Sequence, residues 1–366
     1  MTTALLPLPS AHTRAALPRS LVVFALLYLL AWVLVPPLLA PSFPLDVVES
    51  LGWGREWQWG YFKHPPLPPI ALHVFYIAFG RAGPFVLSQL CVALTLWLVW
   101  LTALRLVSRE RALLATVLTM GVAFYTRPTL EFNHNIAQMP LWAAIAYFYL
   151  AAWQDQRRWQ WLALGLAAGL GLLCKYSMGF LLLCLALFTV LTPARRLLKH
   201  SGPWLALLVL LLVIAPHVYW LQHHDWLPFA YAHDRGTIAA AGTPKMGAFR
   251  FLLTQGLNHA PLALVLLVAC AIVVWRAPKQ TGTGALRLHC TQPPFLLVLA
   301  LGPGLLLALL GMAGVRLRDM WGVPMWPFSG LLAAALLPDR WLRPLRPLVL
   351  RGMAVWLLGI SVLSGI

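Results

Sequence analysis

The chain has 366 residues, 61% of them hydrophobic and only 10% charged, with a mean hydropathy of +0.78. Soluble domains carry about 25% charged residues, so this composition excludes a water-soluble enzyme and indicates a polytopic membrane protein. The 27 Lys and Arg against 10 Asp and Glu give a formal charge of +17; in a membrane chain that reads as cytoplasmic loops and anionic headgroups, not as a nucleic-acid partner.

The N-terminus carries Arg14 and Arg19 before a long apolar run without a small-residue cleavage site, which reads as a retained first helix. A bilayer core of about 30 Å needs roughly 20 apolar residues per crossing. Stretches of that kind lie at 20–40, 83–105, 111–127, 136–153, 159–174, 176–193, 203–221, 259–275, 294–313, 321–337 and 345–364, eleven in all. The apolar stretch 67–80 is shorter and opens on Pro65, Pro66, Pro68 and Pro69, so an interfacial or re-entrant helix is expected there. Cys91, Cys174, Cys184, Cys270 and Cys290 show no CxxC spacing and read as small hydrophobes, with no zinc site or disulfide framework.

With the N-terminus inside, 17 of the 27 basic residues fall in cytoplasmic segments, among them Arg105, Arg109, Arg111, Arg157, Arg158, Arg195, Arg196 and Lys199. Seven of the ten acids fall on the other side: Asp46, Glu49, Glu56, Glu131, Asp225, Asp234 and Asp319. Acids contribute little to orientation, so their clustering points to function. That outer face carries two substantial loops, 41–66 and 222–258, and the sequence has no separate soluble domain.

The first loop is the densest signal. Asp46 and Glu49 are three residues apart, which on a helical turn turns both carboxylates the same way. Phe43, Trp53, Trp57 and Trp59 surround them, and partial desolvation in such a setting lifts a carboxylate toward the working pH of a general base. Tyr61-Phe62-Lys63-His64-Pro65-Pro66 follows, where two cationic donors on a stiff turn suit a phosphate leaving group. The plainer alternative is an aromatic belt with Lys63 and His64 touching headgroups.

The order of apolar helix, long outer loop with an Asp, then Tyr-Phe-Lys-His-Pro-Pro-Leu resembles the GT-C glycosyltransferases. More narrowly it is similar to the bacterial lipid-linked-sugar transferases related to protein mannosyltransferases and aminoarabinose transferases. The resemblance extends to Trp142, to Lys175-Tyr176 and to Arg318-Asp319-Met320-Trp321-Gly322, and so runs through most of the chain. It implies Asp46 as the catalytic acid and His64, with Lys63 and Tyr61 beside it, at the donor phosphate. Two departures stand out. Asp46 is followed by Val47 where many relatives have Glu, and Glu131-Phe132-Asn133-His134-Asn135 stands where many carry a second outer Asp. Asn135 cannot act as a base, so a second-carboxylate role passes to Glu131 or is absent. No cofactor is called for; the resemblance leaves a divalent metal open, but the residues do not indicate one.

Lys175 interrupts an apolar stretch, where a charge faces either a polar cavity and the donor phosphate or snorkels to headgroups. His223-His224-Asp225 and His233-Asp234-Arg235 match no zinc spacing; they read as the mouth of a cavity, with Arg235 a ligand for phosphate or sugar. Arg318 is assigned to phosphate or sugar and Asp319 to a local ion pair, while His217 and Tyr219 read as packing. There is no Walker A, GxGxxG or GxSxG motif, which favours a donor that lives in the membrane.

The expectation is therefore an all-α polytopic membrane protein of about eleven transmembrane helices, with short interfacial helices in its first outer loop. It is one GT-C-like domain over 1–366, in a bacterial inner membrane with its site facing the periplasm. The expected activity moves a sugar from a polyprenyl-phosphate donor to a lipid A, lipopolysaccharide core, other glycan or protein acceptor, by inverting displacement with Asp46 as base and Glu49 orienting the acceptor or acting as an alternate base. A lipid-linked-sugar flippase, and an inactive lipid-phosphate-binding relative, are the alternatives.

Overall fold

The structure, a computed structural model, describes residues 19–237, 244–276 and 287–366, apart from the side chains at 235–237 and 244–245. Among these residues there are fifteen α-helices and no β-strand. The first five are α1 (Arg19–Leu39), α2 (Leu45–Gly54), α3 (Leu67–Phe79), α4 (Gly83–Leu106) and α5 (Arg109–Thr119). Then come α6 (His134–Asp155), α7 (Arg158–Cys174), α8 (Met178–Leu191), α9 (Ser201–Gln222) and α10 (Leu227–Thr237). The last are α11 (Pro244–Asn258), α12 (Ala260–Arg276), α13 (Pro293–Met312), α14 (Ser329–Leu336) and α15 (Asp339–Leu363).

α6 is the centre of the bundle. Ala143, Ala144, Ala146, Ala151 and Ala152 keep its surface narrow enough for α4 and α7 to approach on either side. Asn133 starts it, its side chain accepting from the N–H groups of Asn135 and Ile136. The chain then runs back and forth: Gly202 at the start of α9 lies on Trp161 near the start of α7, and Gly165 lies on Ala206. α7 and α9 are therefore parallel, with α8 returning between them. α1 closes the side, Trp32 donating to Ser361 on α15 at 2.8 Å while Leu26, Leu27 and Leu38 face outward.

This path sorts the charges by end. Asp46, Glu49, Lys63, Glu131 and Lys175 share the end formed by the start of α6 and the finish of α7. At the other end Arg105 pairs with Asp155 at 2.8 Å and Arg111 with Asp339 at 2.7 Å.

The count of eleven crossings is not reproduced. Among the described residues six segments are long and apolar enough: Arg19–Leu39, Leu67–Leu106, His134–Asp155, Ser201–Gln222, Pro293–Met312 and Asp339–Leu363. Two bent pairs, Met178–Leu191 with Pro193–Lys199 at 96° and Met246–Asn258 with Ala260–Arg276 at 51°, raise the number to at most eight. Hydropathy measures burial in anything apolar, protein or lipid. The expected span 111–127 is helical only to Thr119, because Gly121 and Pro128 turn the chain through two short 3-10 segments into the core. The expected span 321–337 is split by Pro324 and Pro327 into a 3-10 turn and the eight-residue α14. The helix expected at 67–80 is α3, closed by Gly80 at φ 55°. The second outer loop is not a loop: it carries α10 and α11.

The α7–α9 contact is testable. A Cβ at Gly165 would lie 2.3 Å from the Ala206 carbonyl, whereas Gly359 on α15 has open space. Gly165→Ala should lower stability by about 1–3 kcal/mol, and Gly359→Ala should raise it by up to about 1 kcal/mol, read as opposite shifts in thermal unfolding in detergent.

Candidate active site

α2 begins after Pro44 with no side-chain cap, so its first N–H groups need outside partners. The Glu131 carboxyl, from the segment before α6, lies close enough to the Asp46 N–H for that group to favour its charged form. α2 itself lies on α3 through Gly54, where a Cβ would stand 2.2 Å from the Pro69 carbonyl. The half-buried Asp46 carboxyl is thus fixed at a helix start, where the helix dipole favours negative charge.

Its surroundings pull in both directions. Burial raises the Asp46 pKa above the ordinary aspartate value and the Glu49 charge adds to that, while Lys175 and Lys63 oppose it. Glu131 is also raised, first by burial and then by Asp46, against the stabilising N–H from Asp46. Glu49 does not stand free as an alternate base: it holds the Lys63 ammonium at 2.5 Å. Lys63 lies over the rings of Trp53 and Tyr231 as well, at 5.8 and 5.7 Å.

His64 departs from the sequence expectation. Burial, then Lys175 and Lys63, push its pKa down to about 3, so it is a neutral imidazole and not a second cation. Its ring lies 4.0 Å from that of His134, and Trp53 abuts both. Tyr61 stacks on Trp53 at 5.7 Å and its N–H donates to the His64 carbonyl. The Tyr61 hydroxyl and His134 Nε2 are buried with no hydrogen-bond partner among the described residues.

Lys175 turns into the protein. It caps α7 in an extended conformation and its Nζ donates to Asn135 Oδ1 at 2.6 Å. Asn135 is thus the acceptor for a cation where relatives were expected to carry an acid. Burial draws the Lys175 pKa down to about 8, with Asp46 pulling it up and Arg318 pushing it down. Gln138 holds the loop, donating to the Lys175 carbonyl at 2.7 Å and accepting from Ser177 at 2.9 Å.

The structure brings together Asp46, Glu49, Tyr61, Lys63, His64, Glu131, Asn135, Lys175 and Arg318. The Arg235 side chain lies outside the described residues. Asp319 is exposed and makes no ion pair among them. His217, read as packing, is a polar clamp: Nε2 meets Tyr176 Oη at 2.9 Å and Nδ1 meets the Trp59 carbonyl at 2.6 Å. Tyr219 is 66% exposed, not packed. Sequence reasoning missed His134, Gln138 and this clamp; Gln138 and His217 are polar residues within apolar runs, which is the available signal, while His134 sits among polar neighbours and has none. Among the described residues no three His, Cys, Asp or Glu side chains group as metal ligands would.

Residues 63–220 match the dolichyl-phosphate-mannose-protein mannosyltransferase family model. The chain is 28% identical over 321 residues to the lipopolysaccharide core galacturonosyltransferase RgtB of Rhizobium johnstonii, covering 83% of this chain and 62% of that one. It is 24% identical over 327 residues to RgtA of the same organism, covering 84% and 64%. ArnT from Cupriavidus metallidurans, solved bound to undecaprenyl phosphate, superposes with a TM-score of 0.67 at 18% identity, over 89% of this chain and 62% of that one. Its apo structure gives 0.64 at 17% identity, over 88% and 60%. The chain thus shares the fold of ArnT and is similar to membrane glycosyltransferases over most of its length, and its described residues include six to eight segments long and apolar enough to cross a membrane. It spans about three fifths of the length of the curated relatives it matches, 62% and 64%.

The electrostatic arrangement around Asp46 has a direct check. Infrared titration should find a protonated carboxyl that persists above the ordinary aspartate range and is lost in Asp46→Asn. Removing the cation in Lys175→Met should move that titration up, and removing the like charge in Glu49→Gln should move it down; the same pKa in all three backgrounds would contradict the arrangement.

Proposed function

We propose that the protein is a glycosyltransferase that moves a sugar from a polyprenyl-phosphate carrier to an acceptor hydroxyl at the outer, periplasmic face. The observation that carries the reading is the convergence on Asp46: a desolvated carboxylate, fixed at a helix start, with Lys175 and Lys63 within electrostatic reach and Arg318 acting in turn on Lys175. The names of the similar proteins support the reaction class, and the galacturonosyltransferases favour a lipopolysaccharide core acceptor over a protein one.

The mechanism is a single inverting displacement. Asp46 takes the proton from the acceptor hydroxyl as that oxygen bonds to the anomeric carbon, and the bond from that carbon to the phosphate oxygen breaks with its electron pair leaving on phosphate. Charge then grows on the phosphate, where preorganised donors act most strongly. Lys175 and Arg318 supply the positive charge. Lys63 is held by Glu49 and contributes through that pair, so Glu49 is a positioning residue and not a base. His64, being neutral, donates one N–H to a phosphate oxygen without bringing a charge. Glu131 positions Asp46 through its backbone N–H. The raised pKa of Asp46 and the intact cation opposite it support this reading over an inactive lipid-binding relative. The separation of acids to one end supports it over a flippase, for which charged groups near the midplane are expected.

Asp46→Asn should abolish transfer from an undecaprenyl-phosphate sugar to membrane glycolipid while the protein remains folded. Near-normal product by mass spectrometry would overturn the assignment. The pH profile has two limbs. Asp46 must be deprotonated, so the rate should rise with pH through its elevated pKa. Lys175 must be charged, so the rate should fall as pH passes about 8, its shifted value. Lys175→Arg, if active, should lose the alkaline limb and keep the acid one.

A further inference from the structure

At the end of the bundle opposite Asp46, helices α7, α8 and α9 leave an apolar cleft of about 260 Å³. Trp161, Leu185, Thr189, Leu197, Leu207 and Leu210 are among its walls. The polar atoms it contains are already matched: Tyr149 Oη and Thr189 Oγ1 meet at 2.6 Å, and Thr189 donates onward to the Leu185 carbonyl at 2.7 Å. A guest in this cleft meets hydrocarbon only. Val190, Leu198 and Leu207 on its rim are 54%, 37% and 44% exposed, so it opens sideways to lipid.

The chain closes the bottom of the cleft with the segment Pro193–Lys199, which leaves α8 at 96° and runs across the bundle axis. Ala194 and Leu197 turn inward; Arg195, Arg196 and Lys199 stay exposed. Trp204 Nε1 donates to the Leu198 carbonyl at 3.0 Å and ties the segment to α9. Because α7 and α9 are parallel, Arg158 stands at the same end. None of these four cations has an ion-pair partner among the described residues. The nearby acid, Asp155, is held by Arg105 at 2.8 Å and by Gln160 at 2.7 Å. The seventeen residues of α7 separate this end from Lys175 by about 25 Å at 1.5 Å per residue. These cations therefore cannot serve the phosphate that Lys175 serves.

We propose that the cleft binds an anionic diacyl phospholipid, one acyl chain between α8 and α9 and the headgroup phosphate on Arg195, Arg196 and Lys199. Orientation in the membrane accounts for basic residues anywhere on this face. It does not account for a hydrocarbon slot ending at three unpaired cations on one in-plane turn. A zwitterionic headgroup brings no net charge to them, while an anionic one does.

The test uses the full chain in neutral detergent, with phosphatidylglycerol or phosphatidylcholine of matched acyl chains titrated in and bound lipid counted by native mass spectrometry. The wild type should retain phosphatidylglycerol over phosphatidylcholine by at least about tenfold. The triple change Arg195→Gln, Arg196→Gln and Lys199→Gln should bring that ratio near one. Ala186→Phe, on the lipid-facing wall of the cleft, should reduce occupancy by both lipids. Arg343→Gln with Arg346→Gln on α15 should leave the ratio as it is. Equal retention of the two lipids by the wild type would overturn the proposal. So would a triple variant with the wild-type ratio, an α15 double variant that loses as much, or full occupancy in Ala186→Phe. None of these side chains touches the candidate active site, so sugar transfer is not part of the readout.

Discussion

Asp46 is a carboxylate half withdrawn from water, with the Lys175 ammonium as its main counter-charge, and the charges around the pair are arranged to leave that relation undisturbed. Two further acids stand close enough to raise the Asp46 pKa or to be raised by it. Glu49 is occupied by Lys63, and Glu131 lies against the N–H of Asp46 itself. Lys175 is satisfied by the neutral oxygen of Asn135, which steadies the cation without cancelling it. An aspartate at that position would form a tight pair with Lys175 and compete with Asp46 for its counter-charge. Partly buried charges of this kind persist only when partnered, and the pattern of partners leaves one carboxylate available to take a proton.

The fold's contribution is to bring helix ends together. The start of α2, the start of α6 and the junction of α7 with α8 meet at one place, and each is held by a different device. Gly54 lets α2 settle on the backbone of α3. Asn133 closes the first turn of α6, which sets Asn135 toward Lys175. Gln138 and the clamp of Tyr176, His217 and Trp59 fix the short link that carries Lys175. Gly60, whose Cβ would fall 2.3 Å from Trp220, lets the first outer loop lie against α9. The reactive groups lie in loops and first turns, but the positions of those loops are decided by packing along the helices.

What could be read from the sequence follows from the cost of charge in an apolar chain. With only ten acids present, a carboxylate beside tryptophans or a lysine between two apolar runs is conspicuous, and Asp46, Glu131 and Lys175 were legible for that reason. The pairing was not. Nothing in Lys63-His64 says that the lysine turns back to Glu49 fourteen residues away, or that burial keeps the histidine neutral; both depend on which side of a loop faces the core. The helix count failed for a related reason. Residues 111–127 and 321–337 are apolar because they are enclosed by protein, and their glycine and prolines shorten the helices without lowering the hydropathy. Residues 222–258 erred in the other direction, since polar side chains on α10 and α11 gave them the look of loop.

The imbalance of charge then takes on a different meaning at each end of the bundle. At the end that carries Asp46, acids and bases are nearly matched and are interlocked, so an added anion meets a prepared field rather than an excess of positive charge. At the opposite end Asp155 and Asp339 are taken by Arg105 and Arg111, and Arg195, Arg196 and Lys199 stay exposed. The same net excess would hold the chain in its orientation wherever those cations lay along the inner loops. Their grouping on the turn Pro193–Lys199, below an apolar slot, is an arrangement that orientation does not require. On the two proposals together, the bundle holds two sites for amphiphiles with a phosphate at one end, separated by a helix length, and only the one at Asp46 has a carboxylate beside it.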